Sequence, residues 1–180
     1  MNIRKCIALI LAATLIVSAL GGCGGMGASQ KRALDRFSKE ISKGRIDDIS
    51  LTIYYTGPEN WYVIPPDADE LIRRSESDKI VVSGTELKEH IDILSQINGE
   101  LLVPVKGESY VNAVLHYVFK DKHGKRLFDV TIWDLNGILV NGLKVEAKDI
   151  FFDIVLPFLP EDMAKRFEKY KPSVWPEFWE

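Results

Sequence analysis

The residues best suited to chemistry in this sequence are His116, Asp129 and Lys144. A carboxylate beside an imidazole orients the ring and prepares it for proton transfer or ligand contact. The three meet only if the strands carrying them pair in one register. Tyr110–Lys120 and Arg126–Leu135 read as strands, and Asp121-Lys122-His123-Gly124 between them reads as a four-residue hairpin loop. That loop sets Lys120 opposite Lys125, and counting back sets His116 opposite Asp129, Val114 opposite Thr131 and Asn112 opposite Trp133. These residues share one mixed face. Val111, Ala113, Leu115, Tyr117 and Phe119, with Phe128, Val130 and Ile132, form the core face. Asn136-Gly137 is a two-residue hairpin signal leading into Ile138–Val140. A second Asn-Gly at 141–142 leaves two readings open. The strand runs on to Val145 and sets Lys144 opposite Asp129, or it folds back as a small hairpin.

A functional reading makes His116 and Asp129 the pair of an extracytoplasmic hydrolase. The competing reading, and the preferred one, is a sheet face holding ordinary cross-strand pairs. No Gly-x-Ser-x-Gly, Ser-x-x-Lys or His-Glu-x-x-His accompanies the histidine. His90, His116 and His123 lack metal-ligand spacing, so no metal is expected. Binding candidates are Trp61 and Tyr62 in the proline-flanked 57–66 loop, together with Asn112 and Lys144 on the mixed face. Loops carry binding function, and exposed aromatics stack on sugars or anchor peptides. The tail aromatics Trp175, Phe178 and Trp179 fit a segment folded back on the core. Asp67, Asp69 and Glu70 fit a helix start better than a calcium site, since no EF-hand pattern surrounds them.

Other elements complete the frame. Leu34, Phe37 and Ile41 give residues 30–43 a helical apolar face, with Gly44 placed to end it. Residues 48–56 alternate as a half-buried strand, with Ile49, Leu51, Ile53 and Tyr55 inward. A helical turn fits Ala68–Arg74, and Lys79–Val82 is a short strand. Ser83 and Glu86 form a capping box ahead of a helix over 85–97. Leu101–Val105 reads as a strand and Asp149–Phe158 as a helix. Pro160 opens a last helix carrying Met163, Phe167 and Tyr170. The fold expected is α+β: an antiparallel sheet of four to six strands, packed on one face by N-terminal, central and C-terminal helices.

The N-terminus gives an address. Arg4 and Lys5 precede the apolar run Ile7 to Leu20, whose fourteen residues span roughly 21 Å as a helix, short of a ~30 Å hydrocarbon core. That is a signal peptide, not a permanent span. Leu20-Gly21-Gly22-Cys23 then resembles the lipobox of bacterial lipoproteins. The resemblance implies cleavage before Cys23, a diacylglyceryl group on its thiol and attachment to the extracytoplasmic side of a cell membrane. Two acyl chains hold a protein stably where one is marginal. Three parts follow: a signal peptide over 1–22, a flexible glycine-rich tether with the lipidated cysteine over 23–29, and one domain over 30–180.

Removing 22 of the 180 residues leaves 158, enough for one domain with a full core. Without Arg4 and Lys5, the 23 basic side chains become 21 against 26 acidic, a net charge near −5. Such a chain is a poor nucleic-acid binder. With Cys6 removed and Cys23 acylated the domain has no thiol, so disulfides and cysteine catalysis are excluded. No cofactor is implied. The expected role is a non-enzymatic binding or interaction module at the cell envelope, engaging an envelope protein, a peptide or a glycan. A hydrolase and a purely structural envelope lipoprotein are the alternatives.

Overall fold

Phe37, Phe119 and Phe128 meet at ring-centroid distances of 4.8–5.0 Å, tying the first helix to the two longest strands. The structure is a computed structural model that describes residues 27–58, 66–107, 112–133 and 137–174. Cys23, Trp61, Tyr62, Leu135, Trp175, Phe178 and Trp179 lie outside the described residues. Helix α1 (Ala28–Ser42) buries Leu34, Phe37 and Ile41, the face that its periodicity predicts. Gly27 precedes it at φ +89°, so Ala28 and Ser29 are helical and not part of a tether.

The chain is α+β, with one six-stranded antiparallel sheet. Strands β1 (Ile49–Tyr55), β2 (Ile80–Val82), β3 (Ala113–Asp121), β4 (Arg126–Trp133), β5 (Ile138–Val140) and β6 (Leu143–Val145) stand in the order β2-β1-β3-β4-β5-β6. Helix α2 (Ala68–Arg74) lies between β1 and β2. Helices α3 (Gly84–Leu87) and α4 (Ile91–Leu94) follow β2, and α5 (Ile150–Asp153) and α6 (Glu161–Glu168) end the described chain.

One face of the sheet carries the main core. Leu51, Ile53, Leu115, Tyr117, Val130, Ile132, Ile138 and Val140 are buried there against α1, the 84–102 segment and the C-terminal helices. Tyr117 sends its hydroxyl into this core and donates to the Phe151 carbonyl at 2.9 Å. Burial pushes that phenol's pKa well above the ordinary value.

Several expected elements differ. The helix expected over 85–97 is broken into α3, a 3-10 turn over Lys88–His90 and α4. Its capping box is present, with the Ser83 N–H and hydroxyl both donating to the Glu86 carboxylate at 2.8 Å. That contact holds Glu86 below the usual carboxylate range. Leu101–Val105 is not a strand: Gly99–Leu101 is a 3-10 turn, and Pro104 makes a single bridge to Val145. The 149–158 helix ends early. A 3-10 turn follows at Leu156–Phe158, because Pro157 has no N–H to continue an α-helix.

Gly84 is required by packing. A Cβ there would stand 2.2 Å from the Ile46 carbonyl oxygen and 2.6 Å from Asp47 Cα, where α3 crosses the 3-10 turn Arg45–Asp48. Gly84→Ala should therefore cost about 1–3 kcal/mol, read as a lower urea midpoint. The exposed neighbour change Thr85→Ala should stay within about 0.5 kcal/mol. Equal midpoints for Gly84→Ala and the wild type would mean that the two backbones part freely.

Candidate functional site

The second face of the sheet holds the polar residues singled out by sequence. His116, Thr131, Asp129 and Thr52 are all less than a tenth exposed. The β3–β4 pairing that places them differs from expectation. Asp121 Oδ1 accepts the N–H groups of His123 and Lys125, both at 2.9 Å, and Asp121 pairs with Lys125. The loop is therefore three residues, with Gly124 at φ +75°. These contacts lower the Asp121 pKa, the Lys125 N–H first. Lys120 then faces Arg126, not Lys125. Next to it Phe119 faces Phe128, so Leu127 is an extra, bulged residue.

A tighter loop and a bulge shift the register by two residues, the period of the pleat. His116 faces Thr131, and Asp129 faces Val118. His116 and Asp129 stay on one face but as diagonal neighbours, with backbones roughly 7–8 Å apart. At the far end Ala113 faces Trp133 while Leu115 faces Ile132, which makes Val114 a second bulge. Val114 turns into the main core, and Ala113 joins Trp133 on the second face. The expected pairs His116–Asp129, Val114–Thr131 and Asn112–Trp133 are replaced accordingly.

The three-strand ladder to Lys144 does not form. Trp133 donates to the Gly137 carbonyl, and Ile132 pairs with Ile138. Asn141-Gly142, at φ 47° and 75°, then folds the chain back, so that Leu139 faces Lys144. Two successive positive φ values give the tight hairpin turn whose twist suits the flanking strands. Asn141 also accepts the Asp129 N–H through Oδ1 at 3.0 Å, so it ties the turn to β4.

His116 is committed to its neighbour. Its Nδ1 lies 2.9 Å from Thr131 Oγ1, and its ring is 6.2 Å from that of Tyr54. Burial lowers the His116 pKa below 6.5, against an opposing pull from Asp129, while the Arg126 charge lowers it further. Asp129 Oδ1 pairs with Arg126 Nη1 at 3.1 Å. Among the described residues the buried Trp133 indole N–H has no hydrogen-bond partner.

Helix α2 covers part of this face. Leu71 packs on Tyr54, Ala113 and Trp133, with Ile72 and Leu139 around them. The cover is latched by Ser75, which donates to the Tyr55 carbonyl at 3.0 Å, and by the Ala113 N–H bonded to Pro66. Asp67 accepts the Glu70 N–H at 2.8 Å, and Glu70 pairs with Arg73 and Arg74. The acidic group thus opens α2, as expected. Among the described residues no three acidic, histidine or cysteine side chains gather in a way that could hold a metal ion.

A dyad chemistry needs access, and His116 has little. Three clefts among the described residues lie away from it: one of about 620 Å³ along α6, and polar ones of about 240 and 370 Å³ around Asp48, Asp121 and Lys122. His123 borders one of these, and His90 packs edge-on against Phe158 at 4.8 Å. Sequence reasoning placed Thr131 on this face but opposite Val114, and it missed Arg126 and Tyr54 as groups around Asp129 and His116. The Asn141-Gly142 pair was the visible signal for the register. No helix among the described residues is long and apolar enough to cross a membrane. No protein family, curated protein or solved structure matches this chain.

Two measurements probe the site. Thr131→Val leaves the buried imidazole nitrogen unpaired and should cost about 1–3 kcal/mol in equilibrium unfolding. A change under a few tenths would mean that the 2.9 Å contact is idle. The second is pH dependence. Below pH 6.5 the unfolded chain takes up a proton that folded His116 resists, so stability falls with pH from that value down to the folded pKa. His116→Gln should remove that component, giving a flatter stability profile between pH 7.5 and 5. Parallel profiles would assign the acid sensitivity to other groups.

Proposed function

We propose that this chain is a lipid-anchored extracytoplasmic lipoprotein whose domain acts as a non-enzymatic binding module at a membrane surface. The observation that carries the reading is Leu20-Gly21-Gly22-Cys23, set behind a basic head and a fourteen-residue apolar run. The acyl groups on Cys23 supply the membrane attachment that no described helix supplies.

The site supports binding over hydrolysis. A general base must reach solvent or substrate, and the His116 ring is buried and bonded to Thr131. Asp129 is held by Arg126, and Lys144 stands on β6 opposite Leu139. The hydrolase alternative therefore lacks the constellation that suggested it. Trp61 and Tyr62 are the proposed contact residues for an envelope protein, a peptide or a glycan, since aromatic side chains offer large area with a polar edge.

In cells, Cys23→Ser should abolish incorporation of a labelled fatty acid and release the protein from membranes; persistent labelling removes the anchor reading. Capture with the full-length protein from solubilised envelopes should yield a partner that the double substitution Trp61→Ala/Tyr62→Ala loses. Identical partner sets from both proteins would remove the loop from the binding surface.

A further inference from the structure

We propose that the β6 edge of the sheet, with the 103–106 segment laid along it, is the face that the domain presents to the membrane, and that it rests on an anionic phospholipid surface. This rests on the lipid-anchor reading. The described chain begins at Gly27, and Gly27 sits at this edge: a Cβ on it would meet Leu143 Cδ2 at 2.7 Å and Pro104 Cγ at 3.6 Å. Gln30, one turn on, reaches the Asn141 carbonyl at 3.4 Å. Cys23 lies four residues before Gly27. Four residues of fully extended chain reach at most about 14 Å, so an acylated Cys23 keeps this edge close to the headgroups.

The edge has the chemistry for such contact. Residues 103–105 run beside β6, with the Val105 N–H bonded to the Lys144 carbonyl and the Glu146 N–H to Val103. Pro104 faces the core side with Val145, so the flanking Val103 and Val105 point the other way. They are 45% and 41% exposed. Lys106 follows in the exposed strip, and the Lys144 ammonium reaches beside Gly107, 3.4 Å from where a Cβ there would stand. Glu146, two residues past Lys144, lies 3.9 Å from Lys148. Two half-exposed valines with lysines beside them fit the boundary between acyl chains and anionic headgroups. Exposure alone does not single out this edge, because Val81 on β2 is 60% exposed. But β2 is at the opposite edge, five strand spacings or roughly 24 Å away, beyond the reach of the tether.

The test uses the full chain, acylated in cells and reconstituted into vesicles of phosphatidylglycerol and phosphatidylcholine. Val105→Cys and Val81→Cys each provide one thiol for a nitroxide, since Cys23 is blocked by its acyl groups. Mass spectrometry verifies the acylation first. The ratio of oxygen to nickel-chelate collision should be at least roughly threefold higher at 105 than at 81, as expected for insertion of a few ångströms into the interface. Lys106→Glu, or vesicles of phosphatidylcholine alone, should bring the 105 value toward the aqueous one. Acylated, vesicle-bound protein with equally aqueous labels at both positions overturns the proposal and leaves the anchor standing. Deeper immersion at 81 does the same, and immersion indifferent to lipid charge overturns the anionic surface. Absence of acyl groups on Cys23 overturns the anchor and this orientation together.

Discussion

The β3–β4 pairing is the constraint on which both layers of the protein depend. In a strand the side-chain period is two, so register decides which residues meet the helices and which meet α2. The stacked Phe119 and Phe128 rings, 4.8 Å apart, can both reach Phe37 only because Leu127 bulges out of the ladder. That bulge then fixes the pairs from Phe119–Phe128 to Leu115–Ile132. It sets Thr131 opposite His116 and leaves Asp129 to Arg126. Packing in the main core thus dictates the polar contacts on the other face.

The faces were more legible in the sequence than the partners. Ile49, Leu51 and Ile53 alternate with Ser50, Thr52 and Tyr54, and the structure buries the first set in the main core. For β3 and β4 the two departures from simple counting, a shorter loop and the bulge at Leu127, add to a full pleat period. From Leu115 to Phe119 the face assignment therefore survived while each pairing moved. Neither departure has a strong local signature. Asp121 takes the backbone donors of its loop, a role that Asp plays without changing the residue count. The Val114 bulge is worse placed for prediction, since exchanging Ala113 and Val114 between two apolar environments leaves no trace in hydropathy. Asn141-Gly142 did announce its hairpin, but Asn136-Gly137 nearby made an equal claim on the chain.

Helix continuity was overestimated for a related reason. Leu87, Ile91 and Leu94 have helical spacing, and all three are in helical or 3-10 backbone. Leu87 and Leu94 are buried in the core but Ile91 is 38% exposed, so the spacing fixes neither the whole inward face nor whether the hydrogen bonds run unbroken. Local contacts of Gly84 with Ile46 and Asp47 fix where the segment starts. Asp35 fixes its end from a distance, accepting the Gly99 N–H at 2.7 Å from within α1. A contact between residues 64 positions apart is invisible to any window of local sequence.

The two layers are unequal, and that bears on function. The main core draws on α1, the 84–102 segment, α5 and α6. Among the described residues the second layer is one seven-residue helix whose only fully buried side chain is Leu71. Opening free energy follows buried apolar contact, so α2 should part from the sheet at a lower cost than any element of the main core. Beneath α2 lie Tyr54, Trp133, His116 and Thr131, including an indole N–H that has no hydrogen-bond partner among the described residues. A polar set beneath a thin cover costs stability that an apolar set would not, since each buried polar group must find a partner. The His116–Thr131 contact limits that cost for two of them. Fold stability therefore rests on the phenylalanine-rich side, and among the described residues the α2 side adds less buried apolar contact to it.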